Sequence, residues 1–245
     1  MYDRGFSCSD IKITEEDEEF FFRETDIGRE IEESKDISCP RHFLAQHHHK
    51  IDTDKILMSL NNDNFLLFTD SREGEIYKMN LSTYISEPLF GFHPNPIAVS
   101  FDKEKERIYW SDNELRQLKS GDIEGKTNRV VRFLGNDSVV DGISIDSVSR
   151  LLFFTDSGYS TISVVTLDGN NYQKTIIQEA VDKPRAIVSD YETGVIYWTD
   201  WGDSPRIERA NYDGSERQDL ITRGLYWPNG LAIDFEGIHF ALSMI

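Results

Sequence analysis

The sequence predicts an all-β fold of stacked four-stranded units, the architecture of a propeller. Three observations predict it. A short aromatic phrase occurs four times, as Phe68-Thr69-Asp70, Tyr109-Trp110-Ser111-Asp112, Phe153-Phe154-Thr155-Asp156 and Tyr197-Trp198-Thr199-Asp200, with its aspartates 42, 44 and 44 residues apart. A second aspartate stands ten residues before three of them, at Asp102, Asp146 and Asp190, and recurs at Asp234. Between the copies the chain reads strand, turn, strand, with no long helical period. Self-similarity at a fixed period of this length marks stacked units that bury their faces against one another.

The fourth unit serves as the template. Pro184-Arg185-Ala186-Ile187-Val188 is a short apolar run that ends at Asp190, Thr193-Gly194 turns the chain, and Val195 to Thr199 is β-branched and aromatic. Trp201 to Pro205 forms a loop, after which Arg206-Ile207-Glu208-Arg209-Ala210 alternates charged and apolar residues, as a half-exposed strand does. Asp213-Gly214 is a hairpin signal, and Arg217 to Thr222 supplies the fourth strand. The second unit repeats this order through Ile97 to Ser100, Arg107 to Trp110, Leu115 to Ser120, a turn at Glu124-Gly125 and Val130-Val131. The third does so through Gly142 to Ile145, Leu151 to Thr155, Thr161 to Thr166, a turn at Asp168-Gly169 and Thr175 to Ile177. The first is abbreviated to Phe65 to Thr69 and Glu75 to Met79. Blades are thus expected near 56–90, 91–134, 135–180 and 181–223, with a truncated fifth from 224, inside a partial propeller over 51–245.

Residues 1–50 differ. Glu15-Glu16-Asp17-Glu18-Glu19 is followed by Phe20-Phe21-Phe22 and more acids through Asp36, with no helical or strand period. Such a segment buries too little surface to offset its ordering entropy, so it is expected to be disordered. His47-His48-His49 reads as incidental, and Cys8 and Cys39 lack metal-ligand spacing, leaving their pairing open. The net charge of −18 disfavours nucleic-acid backbones and anionic membrane surfaces and favours basic partners, although solubility alone also accounts for it. No signal peptide and no apolar run long enough to span a membrane are read in the chain. Asn80-Leu81-Ser82 and Asn136-Asp137-Ser138 are glycosylation sequons that decide nothing on their own.

Within the phrase, side chains alternate faces, so Tyr197 and Thr199 share one face while Ile196 and Trp198 share the other. Stacking buries both. A carboxylate at the strand end then needs several donors. Asp112, Asp156 and Asp200 are therefore expected to be structural, accepting bonds from a neighbouring unit and fixing the angle between blades.

These residues resemble the YWTD repeats of low-density-lipoprotein-receptor-type proteins, which form six-bladed propellers. The similarity runs over about residues 56–237. Pro184-Arg185-Ala186-Ile187, Tyr197-Trp198-Thr199-Asp200-Trp201-Gly202 and Tyr226-Trp227-Pro228-Asn229-Gly230 are similar to the receptor-related branch that acts as Wnt co-receptors. The resemblance implies a non-enzymatic cell-surface ectodomain, with no cofactor and no metal, that binds extracellular protein ligands (Wnt-type ligands or secreted inhibitors with basic or Asn-containing motifs). It implies a ligand face at the starts of the inner strands. There Trp227 and Asn229 fall on an anchoring aromatic and amide, Arg185 on a contacting arginine and Asp141 on a contacting carboxylate, with Trp201 and Asp203 at the rim. A tryptophan offers a rigid apolar platform, and an asparagine offers donors and an acceptor for a peptide amide. Structural readings stand beside these: Trp227-Pro228-Asn229-Gly230 also works as a turn into a strand, and Arg185 also suits a carboxylate of a neighbouring blade. Gly158 stands where a co-receptor usually has a carboxylate.

Six blades close such a disc, and only four full or nearly full units are read here. After Asp234 the chain runs Gly237-Ile238-His239-Phe240-Ala241-Leu242-Ser243-Met244-Ile245 without another copy of the phrase. The expectation is a truncated product or incomplete gene model, with open faces that promote self-association. Other readings are an endocytic lipoprotein receptor, a nidogen-like matrix protein and, more remotely, a calcium-dependent lactonase or esterase propeller. The last needs carboxylates and amides converging on an axial metal. The inner-strand starts Pro96-Ile97, Asp141-Gly142, Pro184-Arg185 and Asn229-Gly230 supply one carboxylate, one amide and a cation, a poor set for calcium.

Overall fold

The structure, a computed structural model, describes residues 10–12, 21–23, 64–169, 172–234 and 239–244. Those residues are all-β. β1 (Asp10–Lys12) and β2 (Phe21–Arg23) pair antiparallel, with Ile11 opposite Phe22. Phe21 and Phe22 supply β2 with strand-forming aromatics, within a segment whose sequence shows no strand period. The remainder of residues 1–50, with Cys8, Cys39 and His47 to His49, lies outside the described residues.

Five antiparallel sheets follow in chain order. The first holds β3 (Phe65–Asp70), β4 (Glu75–Asn80) and β5 (Ser86–Leu89). The second holds β6 (Pro96–Asp102), β7 (Arg107–Asp112), β8 (Gln117–Asp122) and β9 (Asn128–Phe133). The third holds β10 (Val140–Asp146), β11 (Leu151–Asp156), β12 (Thr161–Thr166) and β13 (Gln173–Ile177). The fourth holds β14 (Pro184–Asp190), β15 (Val195–Asp200), β16 (Arg206–Asn211) and β17 (Gln218–Ile221). The fifth holds β18 (Pro228–Asp234) and β19 (His239–Met244). Each sheet is one blade of an incomplete propeller, strands following one another as a meander.

The hairpin between the first two strands of a blade shows how sequence sets geometry. Asp190 Oδ1 accepts from the amides of Glu192 (3.0 Å) and Thr193 (3.3 Å), an Asx-type turn that the left-handed Gly194 (φ +71°) completes. Asp146 does the same with Val148 and Ser149. The second aspartate of the repeat, at Asp102, Asp146 and Asp190, is therefore a turn-former.

Four apolar layers lie between the described blades; the phrase supplies both sides of the layers between the second and third and between the third and fourth blades, and one side of the other two. Tyr197 packs with Ala186, Val188, Ile207 and Leu231 towards the fifth blade, whereas Ile196 and Trp198 pack with Phe153, Ile162 and Ile187 of the third and fourth. Likewise Tyr109 meets Leu152 and Phe154, and Trp110 meets Leu67 and Ile76. Trp110, Phe153 and Trp198 are fully buried. Burial of a large apolar side chain contributes roughly 1.5–3 kcal/mol, so the aromatic phrase is the main apolar cement of the stack.

Three strands differ from the sequence reading. The first blade has a third strand, β5, paired to β4 through Ile76–Leu89 and Met79–Ser86. The third strand of the second blade begins at Gln117 rather than Leu115, because Leu115 donates its amide to Asp112 Oδ1 (3.0 Å) and Arg116 takes φ +53° in the turn. The fifth blade does continue past Asp234: β19 pairs with β18 in the register of the earlier blades, Asp234 opposite His239 as Asp190 is opposite Val195.

Candidate ligand-binding face

Four positions 44 residues apart, Ile97, Asp141, Arg185 and Asn229, stand near the starts of the innermost strands of four successive blades. At each of these starts the pairing register slips, between Pro96 and Val99, Val140 and Gly142, Pro184 and Ile187, and Pro228 and Gly230. Such bulges re-aim side chains at the end of a strand. The hydroxyl of the phrase fills the bulge: the amides of Ala98 and Ala186 donate to Ser111 Oγ and Thr199 Oγ1, both at 3.0 Å. The same row of hydroxyls crosses between blades. Thr69 donates to the Ile97 carbonyl (2.6 Å), Ser111 to the Val140 carbonyl (3.0 Å) and Thr155 to the Arg185 carbonyl (2.5 Å).

The structure joins three of the expected site residues into one chain of contacts. Arg185 Nη1 lies 3.0 Å from Asp141 Oδ1, across the boundary between the third and fourth blades. The Arg185 guanidinium also stacks over the Trp201 ring at 4.0 Å. On the far side Ser157 Oγ donates to Asp141 Oδ2 at 2.7 Å. Burial pulls the Arg185 guanidinium below its ordinary value, and the Asp141 charge acts against that pull. Arg185 Nε is buried with no hydrogen-bond partner among the described residues. The pairing of Arg185 with a neighbouring blade's carboxylate is thus the geometry present, and it leaves the Arg185 guanidinium over the Trp201 ring at the same mouth.

Trp227 is 53% exposed and its neighbour Tyr226 74% exposed, on the connection leading into β18. Asn229 is half-buried at the register position equivalent to Arg185. Asp203 is exposed and gives its amide to Asp182 Oδ2 (3.0 Å), which fixes the loop after Trp201. These contacts run through Asp141, Arg185, Trp201 and Ser157 and do not include Trp227, Asn229 or Asp203.

Asp156 and Asp200 find their partners in their own blade and its incoming linker, while Asp112 accepts from the Leu115 amide at Oδ1 and its buried Oδ2 has no hydrogen-bond partner among the described residues. Asp200, fully buried, accepts from the amides of Lys183 (2.8 Å), Asp182 (3.0 Å) and Gly202 (3.1 Å) and from Arg206 Nη2 (3.0 Å). Asp156 accepts from Val139 (2.9 Å), Gly158 (3.0 Å) and Tyr159 (3.2 Å) amides and from Ser138 Oγ. Each clamps the incoming linker and the outgoing turn of its own blade, which corrects the expectation of a blade-to-blade lock. Blade-crossing bonds come instead from the phrase hydroxyls and from the turn aspartates: Arg150 Nη1 meets Asp102 Oδ2 (2.6 Å), and the Tyr212 hydroxyl meets Asp146 Oδ2 (3.1 Å).

Sequence reasoning passed over Ser157 and the pairing of buried His93 with half-buried Lys119, whose Nδ1 and Nζ stand 3.3 Å apart beside Trp110. Serine carries no signal in a turn-rich chain, whereas Ser157 follows the closing aspartate directly and so had a repeat-based address. Gly158 has its own reason: a Cβ there would run into the Asp137 carbonyl oxygen, so a carboxylate at this position does not fit this backbone.

Comparison with known proteins agrees with this architecture. The family model "Low-density lipoprotein receptor repeat class B" matches residues 150–191 and 194–235. The low-density lipoprotein receptor-related protein 5-like protein of Homo sapiens is 36% identical over 130 residues, which are 53% of this chain and 50% of that protein. Low-density lipoprotein receptor-related protein 5 of Mus musculus is 41% identical over 178 residues, 69% of this chain and 11% of that protein. Vitellogenin receptor Yl of Drosophila melanogaster is 31% identical over 56% of this chain and 7% of that protein. The chain therefore spans half or less of the length of these relatives. Among solved structures, a chain of the nidogen/laminin complex superposes with a TM-score of 0.64 at 29% identity, covering 69% of this chain and 66% of that one. A catalytically inactive virginiamycin B lyase from Staphylococcus aureus, with quinupristin, superposes at 0.60 with 15% identity, over 76% of this chain and 61% of that one, and shares the fold alone. The chain carries low-density lipoprotein receptor class B repeats, folded as a YWTD-type propeller.

Proposed function

We propose that the face at the inner-strand starts is the ligand-binding surface of an extracellular, receptor-type recognition module, and that it acts without catalysis. The observation that carries this reading is the Asp141–Arg185–Trp201 chain at the mouth of the third and fourth blades, with Trp227 exposed on the next. Aromatic and arginine side chains dominate the energetics of protein interfaces, and here an arginine is pre-oriented by a carboxylate and a ring. The only carboxylate of the 44-residue ring is engaged by Arg185 and Ser157, which leaves a poor donor set for a catalytic metal.

The finer reading is Wnt co-receptor-like recognition, with secreted ligands that present basic or Asn-containing peptide motifs. Trp227 and Asn229 act as the anchoring platform and amide, and Asp203 lies at the rim. A matrix protein ligand is the second reading, favoured by the 29% identical chain of the nidogen/laminin complex. The test is calorimetric titration of an Asn-containing peptide into the full chain and into Trp227→Ala and Asn229→Ala. Loss of an anchor is expected to cost about 2 kcal/mol, roughly thirtyfold in affinity. Unchanged affinity in both variants would contradict the assignment. A matrix-type ligand that binds while the peptide does not would select the second reading.

A further inference from the structure

We propose a second docking site on the flank of the disc: a cleft between the second and third blades that receives the cationic side chain, arginine or lysine, of a protein partner. The cleft has a volume of about 420 Å³, within the range of ligand pockets, and is lined by Phe133, Phe154, Asp156, Thr161, Ser163 and Gln173 among others.

The argument comes from what the neighbouring blades put in the same place. Strand register makes Thr161, Ser163 and Gln173 equivalent to Arg206, Glu208 and Arg217 of the fourth blade, since Asp156 faces Thr161 as Asp200 faces Arg206, and Phe154 faces Ser163 as Trp198 faces Glu208. In the fourth blade Arg206 Nη2 reaches Asp200, while Arg217 pairs with the buried Glu208 (2.6 Å) and lies 5.5 Å from the Trp198 ring centre. Both arginines also donate to the Ala180 carbonyl of the preceding linker. In the second blade the equivalent of Ser163 is Lys119, which faces Trp110 across the strands with its Nζ 5.7 Å from that ring centre. Both neighbours thus plug this space with their own cation, set over the aromatic ring of the phrase.

The third blade has the ring and the acid but not the cation. Among the described residues no cationic group pairs with Asp156, whose buried carboxylate is held by amides and Ser138. Thr161 and Ser163 are short and neutral, so the space stays open. Phe133 (71% exposed) and Tyr159 (48% exposed) flank it with apolar surface suited to the methylene stem of a long cationic side chain. The exposed Arg132 also lines the cleft, but its Nε is already committed to Gln173 Oε1 at 3.0 Å. The net charge of −18 favours approach of a basic partner.

The site is independent of the strand-start face, and its test separates the two. N-acetyl-arginine amide is titrated into the full chain by ligand-observed NMR, with the isosteric but neutral N-acetyl-citrulline amide as control. The arginine probe is expected to bind saturably, at least tenfold more tightly than the citrulline probe, with transfer from its methylenes to the Phe133 or Tyr159 ring. Ser163→Lys, which builds in the plug of the second blade, and Thr161→Arg, which builds in that of the fourth, should each weaken binding at least tenfold. Trp227→Ala should leave it unchanged. Equal binding of the two probes, absence of transfer to either ring, or full binding retained by the plug variants would overturn the proposal.

Discussion

At the scale of single residues, the aspartate and the hydroxyl of the repeated phrase perform different tasks. Asp200 holds three backbone amides and Arg206 inside its own blade. Thr155 reaches the carbonyl of Arg185 in the next blade. Removing a buried, paired carboxylate strands its partners, so Asp200→Ala should destabilise by about 3 kcal/mol, whereas Thr155→Val, which loses one hydrogen bond, should cost about 1 kcal/mol. Urea denaturation midpoints distinguish the two. His93 gives a pH signature. Burial, helped by Lys119 and opposed by Asp112, lowers its folded value from 6.5 to about 4. The unfolded chain therefore binds the extra proton between those values, so stability should fall as pH drops from 6.5 to about 4 and be unaffected by this group above that window. His93→Gln should flatten that part of the profile, as measured by urea midpoints at pH 7 and pH 5.

At the scale of strands, the matched repeat and the blade are offset. Residues 150–191 begin at β11 of the third blade and end on β14 of the fourth, so each repeat ties two blades together covalently. The strands themselves were legible, because period-two alternation and Gly turns such as Gly194 and Gly214 leave little choice of conformation. The fifth copy was not. β19 sets Ala241-Leu242-Ser243-Met244 in register where Tyr197-Trp198-Thr199-Asp200 stands in the fourth blade, with Met244 placed 44 residues after Asp200. Pairing of the backbone does not need the aromatic phrase, so side-chain identity alone hid the strand. Close approaches were equally invisible. Gly158 faces the Asp137 carbonyl, and Gly158→Ala should destabilise by about 2 kcal/mol, checked by thermal unfolding.

For the whole molecule, the face at the strand starts and the flank between blades emerge only when the repeats are stacked. Asp141, Arg185 and Trp201 were singled out separately, from three segments spread over sixty residues of chain. The 44-residue period was legible in the sequence, but their contact also needs the bulges at the strand starts and the angle between blades, which a linear reading does not contain. The acidic balance of the chain adds a field to that geometry, so the association rate with a basic ligand should fall as salt rises while dissociation changes less. Stopped-flow rates at low and physiological ionic strength check this. The central claim is that the phrase is scaffold and the strand starts are the binding surface, and amide hydrogen exchange with and without an Asn-containing peptide tests it most directly. New protection is expected at Asp141–Gly142, Arg185–Ala186 and Asn229–Gly230. Protection confined to the opposite strand ends, at the turns after Asp102, Asp146 and Asp190, would contradict it.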